Sequence, residues 1–143
     1  MTVLVDTCIV IDALTKREPF FEPAAELLRL GAEKRINLLY SAKSFLDTHY
    51  LLKHHLHEES KVRGILSSLL RCLTVVEVMG KDCALALNSP ASDYEDAVQY
   101  EVALNYGVDG IVTRDKHGFP GFLIPLETPS QTMEKLRPIE EEE

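Results

Sequence analysis

Short apolar runs of strand length, separated by stretches long enough for a crossover helix, are what most restricts the fold of this chain. Residues 2–6 (TVLVD) form a β-branched run ending in an acid, and 36–40 (INLLY), 73–78 (LTVVEV) and 110–113 (GIVT) repeat the pattern. Residues 122–126 (FLIPL) predict a fifth strand, at a sheet edge because Pro125 has no N–H to give a ladder. Between these runs the spacing predicts helices over 8–15, 22–34, 43–56, 59–71, 80–88 and 93–106, and Pro129 opens a last one through Leu136. Strands alternating with helices specify an α/β fold: a three-layer α/β/α sandwich on a mostly parallel central sheet with right-handed connections. The composition agrees, since 45% of residues are hydrophobic, only 7% are aromatic and tryptophan is absent. A sheet covered on both faces needs an aliphatic core of that kind.

Two local signals sharpen the helix boundaries. Ser92-Asp93-Tyr94-Glu95 has capping-box spacing, which predicts Ser92 as N-cap, Asp93 as the first helical residue and Glu95 closing the box. Gly107 follows that helix as a C-cap, and Gly31 weakens the last turn of the 22–34 helix.

Ligands of parallel sheets gather beyond the carboxyl ends of the strands. Asp6 ends the first strand, Asp115 follows the fourth, and Asp47 and Asp96 fall in the first turns of helices. Strand ends and helix starts share one edge, so the four aspartates can converge there. Each alone is an ordinary cap or turn residue. Together they would repel unless neutralised, and hard divalent cations with oxygen ligands, Mg²⁺ or Mn²⁺, are the natural answer. Such a site suits metal-assisted phosphodiester hydrolysis. A flavodoxin-like or receiver-like sheet also carries acids at strand ends, so the fold alone does not choose the chemistry.

Other classes of function find no support. There is no GxxxxGK[ST] and no GxGxxG segment. The start, MTVLVDTCIVIDAL, is interrupted by Asp6 and Asp12 and reads as neither a signal peptide nor a spanning segment. Cys8, Cys72 and Cys83 are few and odd in number, as expected of free thiols in a reducing cytoplasm. Carboxylates around Cys8 would raise its pKa, which disfavours a thiolate nucleophile. His49, His54, His55 and His57 spread around a helix and read as a solvated surface rather than a zinc site. Asp12 reads as a local helix or loop contact. The net charge of −8 argues against broad duplex coating, but Glu140–Glu143 supply half of it, and bound cations would reverse the field at the acidic edge.

Over roughly residues 2–130 the chain resembles the PIN domain family, including the toxin ribonucleases of toxin–antitoxin pairs. VLVDTCIVIDAL, SAKSFLDTHYLL and SDYEDAVQYEVALNYGVDGIVTRD carry the likeness. It implies a single PIN-like domain over 1–137, followed by an acidic tail over 138–143. It also implies that Asp6, Asp96 and Asp115 are metal ligands and that Asp47 completes a catalytic set of four. Thr7 and Thr113 would support them, and Arg114 and Lys116 would contact phosphates. Two positions depart from the family pattern: Cys8 stands where asparagine is usual, and Asp47 where glutamate is. The implied activity is Mg²⁺- or Mn²⁺-dependent hydrolysis of RNA by a cytoplasmic protein, with a small antitoxin or a second copy of the chain as partner. A noncatalytic RNA- or protein-binding PIN domain and a DNA nuclease are the alternatives.

Overall fold

The computed structural model describes residues 1–115, 118 and 121–141. β1 (Thr2–Val5) is the middle strand of a five-stranded sheet, flanked by β2 (Asn37–Ser41) and then β3 (Thr74–Val76) on one side, and by β4 (Gly110–Val112) and then β5 (Leu126–Glu127) on the other. Every pairing is parallel, in the registers Leu4↔Leu39 and Leu4↔Ile111 around the centre. The helices are α1 (Thr7–Leu14), α2 (Phe21–Ala32), α3 (Ala42–Leu56), α4 (Glu59–Leu69), α5 (Gly80–Ala86), α6 (Tyr94–Tyr106) and α7 (Pro129–Glu141).

Side-chain alternation along the strands builds two cores. Val3 and Val5, Leu38 and Tyr40, and Val112 point to a face covered by Ile9 and Val10 of α1, Leu27 and Leu28 of α2 and Leu69 of α4. Leu4, Leu39 and Ile111 point the other way, onto Tyr100, Val102 and Ala103 of α6. Burial on both faces is why the strands read as continuous apolar runs rather than alternating ones. The three-layer sandwich expected from the sequence is therefore the observed architecture.

Two boundaries move by more than two residues. The fifth strand starts at Leu126 rather than Phe122. Pro125 lies just before it and still serves the ladder as an acceptor, taking the Ile111 N–H at 2.9 Å. The last helix runs beyond Leu136 to Glu141, so the expected tail begins inside it; glutamate is a good helix former. Among the described residues no helix is long and apolar enough to cross a membrane.

Strand order 3-2-1-4-5 puts the topological switch between β1 and β4, where the chain crosses from one side of the first strand to the other. A crevice opens beyond the carboxyl ends of such a pair.

Candidate active site

Asp6 stands at that crevice. Its backbone is extended (φ −75°, ψ 151°) and its N–H is anchored 2.9 Å from the Val112 carbonyl of β4. The carboxylate caps α1, with Oδ1 accepting the Thr7 N–H at 2.8 Å, while Oδ2 accepts the Thr113 hydroxyl at 2.8 Å. Thr113 is buried and also accepts the Asp115 N–H, at 3.1 Å. One threonine, the residue that follows β4, thus ties Asp6 at the end of β1 to Asp115. Thr7 turns its hydroxyl to Ser44 Oγ of α3 at 2.8 Å, and Ser41 Oγ donates to the same atom at 3.1 Å while capping α3. This short polar chain holds the start of α3 against the start of α1. Ser41 and Ser44 escaped the sequence reading, although their N-cap spacing in SAKS was a usable signal.

Helix α6 begins one residue later than the capping box predicted. Asp93, not Ser92, is the N-cap: its backbone is extended (φ −117°, ψ 127°) and its carboxylate accepts the Asp96 N–H at 3.0 Å. Serine and aspartate are both good caps, and only backbone conformation separates them. Glu95 does not close a box but reaches Lys43 Nζ at 3.2 Å. Asp96 is therefore the third helical residue, and it lines a cavity of about 50 Å³ together with Asp6, Asp93, Thr113 and Asp115. Although exposed, its carboxyl is pushed up to about 6, first by partial burial and then by the negative charges of Asp93, Asp6, Asp115 and Glu95.

Asp47 belongs to a neighbouring cavity of about 270 Å³, which it shares with Asp6, Thr7, Ser44 and Asp96. Its carboxylate is held 2.6 Å from Lys43 Nζ, one helical turn away. Lys43 thus bridges α3 and α6 across the acidic edge, and its pKa is raised by Asp47 first and by Glu95 as well. The i,i+4 spacing of Lys43 and Asp47 could have revealed the first contact, but not the second.

The PIN domain profile matches residues 2–117. The chain belongs to the PIN domain family. The fold of this PIN domain is shared with the sarcin–ricin-loop-cleaving toxin VapC20 of Mycobacterium tuberculosis (19% identity over 86% of this chain and 99% of that one, TM-score 0.62). It is shared also with VapBC2 of Rickettsia felis, solved with a DNA fragment from its promoter (16% identity, 90% and 98% covered, TM-score 0.64). A toxin–antitoxin complex from Klebsiella pneumoniae aligns over 89% of this chain and 97% of its own, at 21% identity and a TM-score of 0.61. No curated protein matches the chain.

Among the described residues, the remaining candidates of the PIN domain do not line the carboxylate cavity. Arg114 turns away from it to Asp12 and Phe20, and Lys116 lies outside the described residues. Cys8 Sγ is 3.6 Å from Asp6 Oδ2, and burial, followed by the Asp6 charge, pushes its thiol pKa up, which disfavours a thiolate nucleophile. His49 pairs with Glu59 at 2.9 Å, and His54, His55 and His57 are exposed. Glu59 also meets Arg63 and Lys53; Arg63 first, then His49 and Lys53, draw its pKa down to about 2, and the cluster joins α3 to α4. Among the described residues no three His, Cys, Asp or Glu side chains are grouped so as to hold a metal ion. What the PIN domain does present is a set of oxygen donors whose mutual repulsion already raises one member's pKa.

That repulsion has a measurable sign. Asp96 titrates near 6 in the fold, against about 3.9 in an unfolded chain. Its contribution is complete below about 3.9 and is lost as pH rises through about 6. In EDTA, thermal melts of the parent should therefore lose stability between these pH values relative to Asp96→Asn. Mn²⁺ at pH 7.5 should raise the parent's Tm more than the variant's. Parallel pH profiles for the two proteins would remove the electrostatic account of the pocket.

Proposed function

We propose that this PIN domain is a Mg²⁺- or Mn²⁺-dependent ribonuclease. The observation that carries the reading is the meeting of Asp6, Asp96 and Asp115 around one small cavity at the β1/β4 switch. The donor chemistry fits a hard divalent cation, because all three groups are carboxylates and, after partial burial, the charges of Asp6 and Asp115 are among the causes that push the Asp96 carboxyl up. Asp6, Asp96 and Asp115 would hold the ion. When bound, it supplies positive charge beside the scissile phosphate and lowers the pKa of a water. Thr113 fixes Asp6 by hydrogen bond and takes the Asp115 amide, so that the two carboxylates keep their mutual placement. Asp47, one methylene shorter than glutamate, serves as a hydrogen-bond acceptor that orients a water once Lys43 releases it. Lys43 lines the adjoining cavity and would meet the nucleic-acid backbone there.

Likeness to the Rickettsia and Klebsiella proteins supports a second element of the proposal: the chain is the toxin of a toxin–antitoxin pair, and a small antitoxin is its partner. One observation favours the noncatalytic reading instead. Lys43 already occupies Asp47, the acid assigned to orient the water.

A cleavage panel separates the two. Unstructured RNA, hairpin RNA and single-stranded DNA are incubated with Mg²⁺ or Mn²⁺, and again with EDTA. We expect RNA to be cut only when metal is present. RNA that is bound but uncut in either metal would favour the binding module, and equal cutting of DNA would widen the substrate class.

A further inference from the structure

Arg114 lies between Thr113 and Asp115, two residues of the carboxylate pocket, yet its side chain leaves that pocket. Nη2 donates to Asp12 Oδ1 at 3.3 Å, and Nε sits 2.8 Å from Oδ2 as an ion pair with the N–H angled off the oxygen. The guanidinium lies 4.4 Å over the centre of the Phe20 ring. Asp12 is completely buried in α1, the helix that Asp6 caps. A planar cation held at two points and stacked on a ring has its orientation fixed in a way that an ammonium would not.

The geometry points to Arg114 as a positioning residue of the carboxylate pocket, seated on Asp12 and Phe20, and not as a phosphate contact. The segment from 113 to 115 is tied to α1 at both ends of that helix. Thr113 reaches its first residue through Asp6, and Arg114 reaches its second half through Asp12. Between these ties the direction of Asp115 relative to Asp6 is set. Were Arg114 to swing onto a phosphate, it would leave a fully buried carboxylate without its counter-charge, which is strongly unfavourable.

The inference rests on the ribonuclease reading for its activity readout, so its test also uses metal binding and metal-free RNA binding. Arg114→Lys keeps a point charge that a phosphate contact would tolerate but loses the fork and the stacking. Asp12→Asn removes the seat while leaving Arg114 in place. Each variant is compared with the parent in three ways: binding of a fluorescein-labelled RNA hairpin in EDTA across a KCl series, the Mn²⁺ concentration that half-maximally raises Tm, and single-turnover cleavage. Both variants should bind the hairpin in EDTA with the parent's affinity and salt slope. The Mn²⁺ requirement should rise, and the cleavage rate fall, by about 10–100-fold, the usual effect of removing a group that orients a metal ligand. If Arg114→Lys proves unfolded by circular dichroism, Phe20→Leu, which keeps the ion pair and removes the ring, carries the test and should raise the Mn²⁺ requirement severalfold. The inference is overturned if Asp12→Asn or Arg114→Lys matches the parent in Mn²⁺ requirement and cleavage rate, or if Arg114→Ala loses hairpin affinity in EDTA with a shallower salt slope, the mark of a lost phosphate contact. A parent that cuts no RNA while Mn²⁺ still raises its Tm sinks the ribonuclease reading alone, and the Mn²⁺ titration then judges Arg114. A parent whose Tm Mn²⁺ leaves unchanged overturns both.

Discussion

Asp96→Asn should abolish Mg²⁺- or Mn²⁺-dependent RNA cleavage while leaving the fold intact, and Asp93→Asn should retain most of it. The two residues are three apart and line the same cavity, but they do different work. Asp93 spends its carboxylate on the Asp96 amide as the cap of α6. Asparagine caps as well as aspartate, so the substitution costs little there. Its loss of charge would also relieve Asp96, whose raised pKa owes part of its shift to Asp93. Asp96 makes no such contribution to the helix; its own carboxylate adds to the charge that a cation would neutralise. Removing a ligand of a Lewis-acidic ion forfeits several kcal/mol at the transition state, or about a thousandfold in rate. Circular dichroism checks folding, and cleavage at equal protein concentration across a metal titration checks the rest. A fully active Asp96→Asn beside a dead Asp93→Asn would reverse the assignment. Two fully active variants would remove the catalytic centre.

Gly31→Ala should destabilise the protein by about 3 kcal/mol, at the upper end of what overpacking usually costs. Helix propensity alone predicts the opposite, a gain of about 1 kcal/mol for replacing glycine in a helix. Packing decides the sign. Gly31 is buried in α2, where a Cβ would press into the backbone carbonyl oxygen of Cys72 and lie 2.7 Å from Leu38 Cδ1 of β2. A leucine tip can move, but a carbonyl at the end of the α4–β3 connection cannot yield without shifting β3. For a domain of this size the change corresponds to a fall in Tm of roughly 10 °C, read by calorimetry or by melting followed at 222 nm. An unchanged or raised Tm would mean that α2 packs less closely than described.

The architecture was legible because its signals are local. Parallel strands buried on both faces leave short apolar runs, and residues 2–6, 36–40 and 110–113 could hardly be anything else. Asp6, Asp96 and Asp115 were legible because strand ends and helix starts share an edge, and because the motifs around them resemble a known family. What stayed hidden depends on conformation or on distance along the chain. Ser92 and Asp93 are both caps by type, and their order is settled by backbone angles that composition does not carry. Arg114 was assigned to phosphate because it flanks Asp115, and its partner in the fold, Asp12, could not be read because it is 102 residues away. Lys43 was passed over for the same reason, since one of its two carboxylates lies on another helix, 52 residues on.

The position of β1 in the middle of the sheet has a consequence for synthesis. Of the five strands β1 is made first, yet it gains its second neighbour, β4, only 107 residues further on, counted from Asp6 to Thr113. Until then Asp6 has neither the Val112 carbonyl for its amide nor the Thr113 hydroxyl for its carboxylate, and Asp115 does not yet exist. Long-range pairing of this kind is slow and comes late. A chain emerging beside ribosomal and messenger RNA thus carries the first acid of its pocket from the outset but no assembled pocket. Any truncation that ends before β4 should lack the proposed metal-dependent RNA cleavage however well its first half folds.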